Sequence, residues 1–210
     1  MKKIMFCFFL LLSAALGFAQ EVKISKIEVL PGSSISIFGD AKIMTFTCLF
    51  DIEELEVEEM ISFETEDSQY RFKDANLILR NRGFDCKKKG RNRDLHRMLK
   101  TRKYPKISLT LKKAVLKTDS LASITVEIAI AGEKNTYTVP VELLGEEISH
   151  FRGRFRLNVR DFDLKPIKKM LGLIQVQDVI EIRFNLIIKY RKETTALENR
   201  NMKGNFSFFP

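Results

Sequence analysis

Histidine is nearly absent from this chain: only His96 and His150 occur in 210 residues. Neither belongs to a His-Glu-x-x-His run, and no Cys-x-x-Cys pair accompanies them, so the usual metal-ligand spacings are missing. A Gly-x-Ser-x-Gly elbow and a glycine-rich phosphate loop are missing as well. Paired carboxylates occur only inside one acidic block, where nothing marks two of them out for acid–base work. The chain therefore reads as a non-enzyme with no catalytic residues, no metal and no cofactor. Long apolar runs are confined to its start. Beyond residue 19 no stretch approaches the roughly 20 apolar residues that a membrane-spanning helix requires.

The first nineteen residues read as an address. Lys2 and Lys3 form a positive leader, Ile4 to Leu16 an apolar run, and Gly17 and Ala19 the small residues of a cleavage site before Gln20. The apolar run is too short to span comfortably, and no small residues precede Cys7 as lipoprotein processing would require. An N-terminal anchor is the alternative. Residues 1–19 are thus expected to be a signal peptide cut after Ala19, sending the mature protein to the periplasm or out of the cell.

The mature chain, Gln20 to Pro210, has a length that suits one domain, since such chains bury roughly 70% of their unfolded surface. Two of the three cysteines survive processing, Cys48 and Cys86. An exported pair in an oxidising compartment is a disulfide candidate, and two buried free thiols are the alternative.

The formal charge of the whole chain is +9, unevenly spread. Asp51 to Asp67 holds nine acidic residues and no basic one, whereas Arg80 to Lys106 holds twelve basic residues against Asp85 and Asp94. Export argues against nucleic acid as the partner of the basic block. Attraction to an anionic membrane or a phosphate-bearing ligand is the functional reading. Two solvated surfaces of opposite sign, facing one another, is the structural one. Arg152, Arg154, Arg156 and Arg160 fall on one side of a strand pattern and suit the wet face of a sheet.

Strand patterns dominate the rest. Ser34 to Phe38, Ile43 to Phe50, Ala75 to Leu79 and Ile107 to Leu111 alternate apolar and polar residues. Pro31 to Ser34 reads as a turn before the first of these. Ile124, Val126, Ile128 and Ile130 alternate, then Gly132-Glu133 turns the chain into Tyr137, Val139 and Val141. Phe155, Leu157 and Val159 follow, and Val179 to Tyr190 closes the series. About eight strands at hairpin spacing predict an all-β, single-domain antiparallel barrel or sandwich over 20–190. The remaining 191–210 forms a polar tail that ends in Phe206, Phe208 and Phe209.

One short helix interrupts the strands. Leu95, Met98 and Leu99 share the apolar stripe of a helix near 93–101, which Asn92 or Asp94 can cap. Pro105 forces Tyr104 out of the helical region, so the helix must end by Lys103.

The segment Arg93-Asp94-Leu95-His96 through Lys103-Tyr104-Pro105 to Ile107 resembles the signature of the YceI-like proteins, exported polyisoprenoid-binding β-barrels of lipocalin-like shape. Phe46-Thr47-Cys48, with Phe84-Asp85-Cys86, resembles the family's cysteine-containing variant. Ile128 to Gly132 followed by Tyr137 to Val141 resembles its central hairpin, and Phe162-Asp163-Leu164 before Pro166 its late loop. The likeness covers about 27 to 190 and departs after Met98, where this chain is shorter and more basic.

The resemblance implies an eight-stranded barrel whose interior holds an isoprenoid or similar amphiphilic lipid, as a carrier or store. The candidate lining is the apolar faces of the strongest strands: Ile107, Leu109, Leu111, Ile124, Val126, Ile128, Phe155, Leu157, Phe184 and Leu186. His96, Arg97 and Tyr104 are candidates for a rim near the head group. An envelope interaction protein whose barrel is filled by its own side chains is the alternative. The sequence leaves the lipid and the oligomeric state open.

Overall fold

The computed structural model describes residues 22–41, 44–57, 60–73, 75–145, 148–169 and 174–192. The expected signal peptide, Ile43 and the tail beyond residue 192 lie outside these. In chain order the strands are β1 (Val22–Val29), β2 (Ser34–Ala41), β3 (Met44–Phe50), β4 (Leu55–Val57), β5 (Met60–Glu66), β6 (Gln69–Phe72), β7 (Asn76–Arg80) and β8 (Phe84–Asp85). The helix α1 (Lys89–Met98) follows, then β9 (Lys106–Thr118), β10 (Leu121–Ile130), β11 (Glu133–Leu144), β12 (Ile148–Asn158), β13 (Lys168–Lys169) and β14 (Ile174–Lys192).

Every pairing between these strands is antiparallel. Eight of them close a ring in the order β1, β5, β6, β9, β10, β11, β12, β14 and back to β1. The fold is therefore the barrel and not the sandwich. The ring itself has no free edge, while β2, β3 and β8 branch from β14, and β7 and β4 from β9. The long alternating strands need only one apolar face each, directed inward.

The first strand lies earlier than the pattern suggested, because Lys23 and Ser25 interrupt the inward face that Ile27 and Val29 continue, while Val22 and Ile24 are exposed on the other face. β1 and β2 run end to end along the nineteen-residue β14, with Val29 opposite Ile188 and Ser34 opposite Asn185. Pro31 to Ser33 is the splice between them. Ser33 Oγ donates to the Leu30 carbonyl at 2.8 Å and accepts from the Ile187 N–H at 2.9 Å, and Gly32 takes φ +90°.

The acidic block also forms strands, contributing β4 and β5. Its charges are directed against the basic block: Glu56 pairs with Arg80 and with Lys106 at 2.9 Å, and Glu54 with Arg82 at 2.9 Å. The two runs of opposite sign thus partly neutralise one another. At the other side of the barrel β12 ends at Asn158, and Val159–Phe162 is a 3-10 turn, so Arg160 leaves the arginine row and pairs with Asp178.

Helix α1 begins four residues before the expected 93 and is capped by neither candidate. Lys88 occupies the N-cap without a side-chain hydrogen bond. Asn92 instead accepts from the Cys86 N–H at 2.7 Å and donates to Asp85 Oδ1 at 2.9 Å, tying the helix to the chain that enters it. The helix closes one end of the barrel. Its C-terminal turn meets the β10–β11 hairpin, where Tyr104 packs on Gly132, and the late turn, where Lys100 reaches Asp163 at 3.4 Å. The opposite end is formed by the β5–β6, β9–β10 and β11–β12 turns.

Candidate ligand cavity

The barrel encloses a cavity of about 570 Å³ with an almost wholly apolar wall. Inward parity on each strand supplies that wall, since residues i and i+2 of a strand share a face. On β9 the wall takes Ile107, Leu109 and Leu111, on β10 Ile124, Val126 and Ile128, on β12 Phe155 and Leu157, and on β14 Phe184 and Leu186. All ten residues singled out from the sequence face this one space.

The helix end is shaped by Leu95, Met98 and Leu99, with Leu95 and Leu99 buried. Arg91 and Asp94 face the cavity from the same helix, and Asp94 Oδ1 lies 3.7 Å from Arg97. The proposed rim residues sit elsewhere. Arg97 is exposed on the far side of α1, and half-buried His96 approaches the Thr101 hydroxyl through Nδ1 at 3.4 Å. Tyr104 packs on the β10–β11 turn, and its carbonyl accepts from Asn81 Nδ2 at 2.9 Å. None of the three lines the cavity.

Cys48 and Cys86 also line it, and they are joined by a disulfide. The bond fixes β3 to the segment that leads from β8 into α1. The helix that closes the barrel is therefore held covalently to the wall it closes.

Toward the turn end, the last lining residues of the eight ring strands are Ser25, Phe63, Tyr70, Leu116, Ala122, Leu143, Ser149 and Tyr190. Phe63 contacts both Tyr70 and Phe72, with ring centroids 6.0 and 5.9 Å apart. Burial raises the pKa of the Tyr70 phenol, with a further contribution from Tyr190. Sequence patterning passed over Ser25 and Ser149 in this layer because they are short hydroxyl residues on otherwise apolar faces. The signal lay in parity: Ser25 precedes Ile27 by two positions, and Ser149 precedes Phe151 by two.

Across residues 37–188 the sequence matches the model of the YceI-like domain. The chain belongs to the YceI-like family. No curated protein sequence matches it. Solved structures share its fold at low identity. A BcnA structure from Burkholderia cenocepacia aligns with a TM-score of 0.62 at 17% identity, over 76% of this chain and 99% of that one. A polyisoprenoid binding domain from Saccharophagus degradans, implicated in plant cell wall breakdown, aligns with a TM-score of 0.54 at 11% identity, over 80% and 99%. A YCEI protein from Campylobacter jejuni gives 0.51 at 17% identity, over 70% and 85%. Among the described residues no group of three His, Cys, Asp or Glu gathers as a metal site, and no helix is long and apolar enough to cross a membrane.

Proposed function

We propose that this YceI-like protein is an exported carrier or store for an apolar lipid of the isoprenoid kind, held in the barrel and acting by binding alone. One observation carries the reading: an apolar cavity of about 570 Å³ runs between the helix end and the turn end. A tail inside it is stabilised by roughly 0.8 kcal/mol per buried CH₂, and no catalytic group is needed for that. The ten inward residues on β9, β10, β12 and β14 are the proposed contacts for the tail. The structural neighbour described as a polyisoprenoid binding domain supports the ligand class.

Export to the periplasm rests on the leader in residues 1–19, and the disulfide fits an oxidising compartment. Peripheral contact with an anionic membrane rests on exposed Lys88, Lys89 and Arg93, which remain outward after Arg80, Arg82 and Lys106 have paired with the acidic block.

The test is retention of tritiated geranylgeraniol by delipidated protein on gel filtration. Stoichiometric retention supports the carrier. Passage of all label in the free fraction would favour the interaction protein with a filled barrel.

A further inference from the structure

The outer face of β12 carries a row of cations that the fold does not use. Phe151, Phe155 and Leu157 face the cavity, so Arg152, Arg154 and Arg156 project outward at intervals of roughly 7 Å. All three are exposed, and none makes a side-chain hydrogen bond or ion pair among the described residues. Arg80, Arg82, Lys106 and Arg160, by contrast, each hold a carboxylate.

Register widens the row into a patch. Arg154 lies opposite Arg183 on β14, and Arg156 lies opposite Glu181. Like charges directly opposite one another on a sheet are destabilising, so Arg154 and Arg183 stand together at a cost to the fold. Arg183 is bonded to Glu181 and lies 3.8 Å over the Phe38 ring. Glu181 is thus already engaged: its carboxyl lies below the ordinary value, first through that hydrogen bond and further through Arg154 and Arg156. Glu142 lies opposite Arg152. The patch sets four arginines against these two carboxylates.

The same face also exposes hydrocarbon. Across the sheet from Arg154 and Arg183 come Ser36 on β2 and then Leu49 on β3. Leu49 is 48% exposed, and Val179, two positions before Glu181 on β14, is 42% exposed. Arginine forks bind phosphate oxygens in pairs, and an anionic leaflet draws cations to its head-group plane. Aliphatic side chains beside such cations sink to the acyl boundary. A soluble polyanion would use the arginines and leave Leu49 and Val179 in water.

We propose that the face of β12, β14 and β2 that bears Arg152, Arg154, Arg156 and Arg183 docks this protein on a phosphate-bearing anionic membrane. The proposal rests on the membrane contact of the function reading and adds this surface to the cations of α1. It holds whether or not the barrel is occupied.

The experiment follows co-sedimentation of the exported protein with vesicles of equal parts phosphatidylglycerol and phosphatidylcholine. Arg152→Gln/Arg154→Gln/Arg156→Gln should weaken binding about a hundred-fold, the effect of three cations near such a surface. The row makes no bond within the fold, so this variant should melt with the parent. The chain contains no tryptophan, so Leu49→Trp supplies a single reporter on this face and Leu121→Trp one at the turn end. With brominated acyl chains in the vesicles, Leu49→Trp fluorescence should be quenched and that of Leu121→Trp should not. A glutamine variant that binds like the parent, or vesicle-bound Leu49→Trp that escapes quenching, would overturn this face and return the contact to α1. Parent protein that fails to sediment with the vesicles would remove the membrane contact and this face with it. The carrier, which label retention tests separately, would stand.

Discussion

Cys48 and Cys86, separated by 38 residues, are bonded to each other at the cavity wall, and both are almost fully buried, at 0% and 1% exposure. The bond spans the acidic strands, β6, β7 and β8, so it constrains a long loop of the unfolded chain. The chain-entropy treatment values such a loop at about 4 kcal/mol. Cys48→Ala/Cys86→Ala should lower the unfolding free energy by about that amount in guanidinium titrations. An unchanged midpoint would show that the bond does not set the stability of the barrel.

Glu56 joins the two charge blocks. Hydrogen bonds from Lys106 and then Arg80 hold its carboxyl below the ordinary value of 4.5. A carboxylate with a lowered folded-state pKa contributes stability that is complete above the unfolded value and is lost as the pH falls through the folded one. The urea midpoint should therefore drop below pH 4.5, and Glu56→Gln should flatten that part of the profile while lowering the midpoint near neutrality. Parallel profiles for the two proteins would contradict the assignment.

Gly132 turns the β10–β11 hairpin with φ +96°, and a Cβ there would come within 3.0 Å of the Tyr104 ring. Gly132→Ala combines backbone strain with a collision against the turn that follows α1, and should cost about 1–3 kcal/mol. Thermal denaturation reads this directly, and a variant as stable as the parent would show that the turn can shift away from Tyr104.

Leu109 and Ile124 face the cavity from neighbouring strands and are only partly buried by protein. Tryptophan at either position occupies space that the tail is proposed to fill. Leu109→Trp and Ile124→Trp should retain the fold at a cost of about 1–3 kcal/mol and lose most uptake of geranylgeraniol. Full uptake by folded variants would place the ligand elsewhere.

The inward faces of β9, β10, β12 and β14 were legible in the sequence because alternation of period two records which side of a strand is dry. Alternation alone serves a sandwich as well, and it was the resemblance of Arg93 to Ile107 to the YceI-like signature that pointed to a closed barrel. The register that brings β14 back to β1 closes the ring as that resemblance implies. The acidic block hid β4 and β5 because Glu54, Glu56 and Glu64 meet cations on β7 and nearby segments, a long-range pairing that local polarity cannot reveal. The start of α1 was hidden for a different reason: Lys88 caps it without the usual oxygen, and Asn92 is engaged with Cys86 and Asp85. Ser25 and Ser149 escaped notice because an apolar-face search passes over short polar residues at inward positions.

The proposed function stands or falls with a lipid in the barrel. Native mass spectrometry of protein exported, purified without detergent and then extracted with organic solvent tests it most directly. The expected result is a mass excess over the polypeptide that vanishes on extraction and is recovered in the solvent as an apolar molecule. Protein that carries no excess mass and takes up no added isoprenoid alcohol would contradict it.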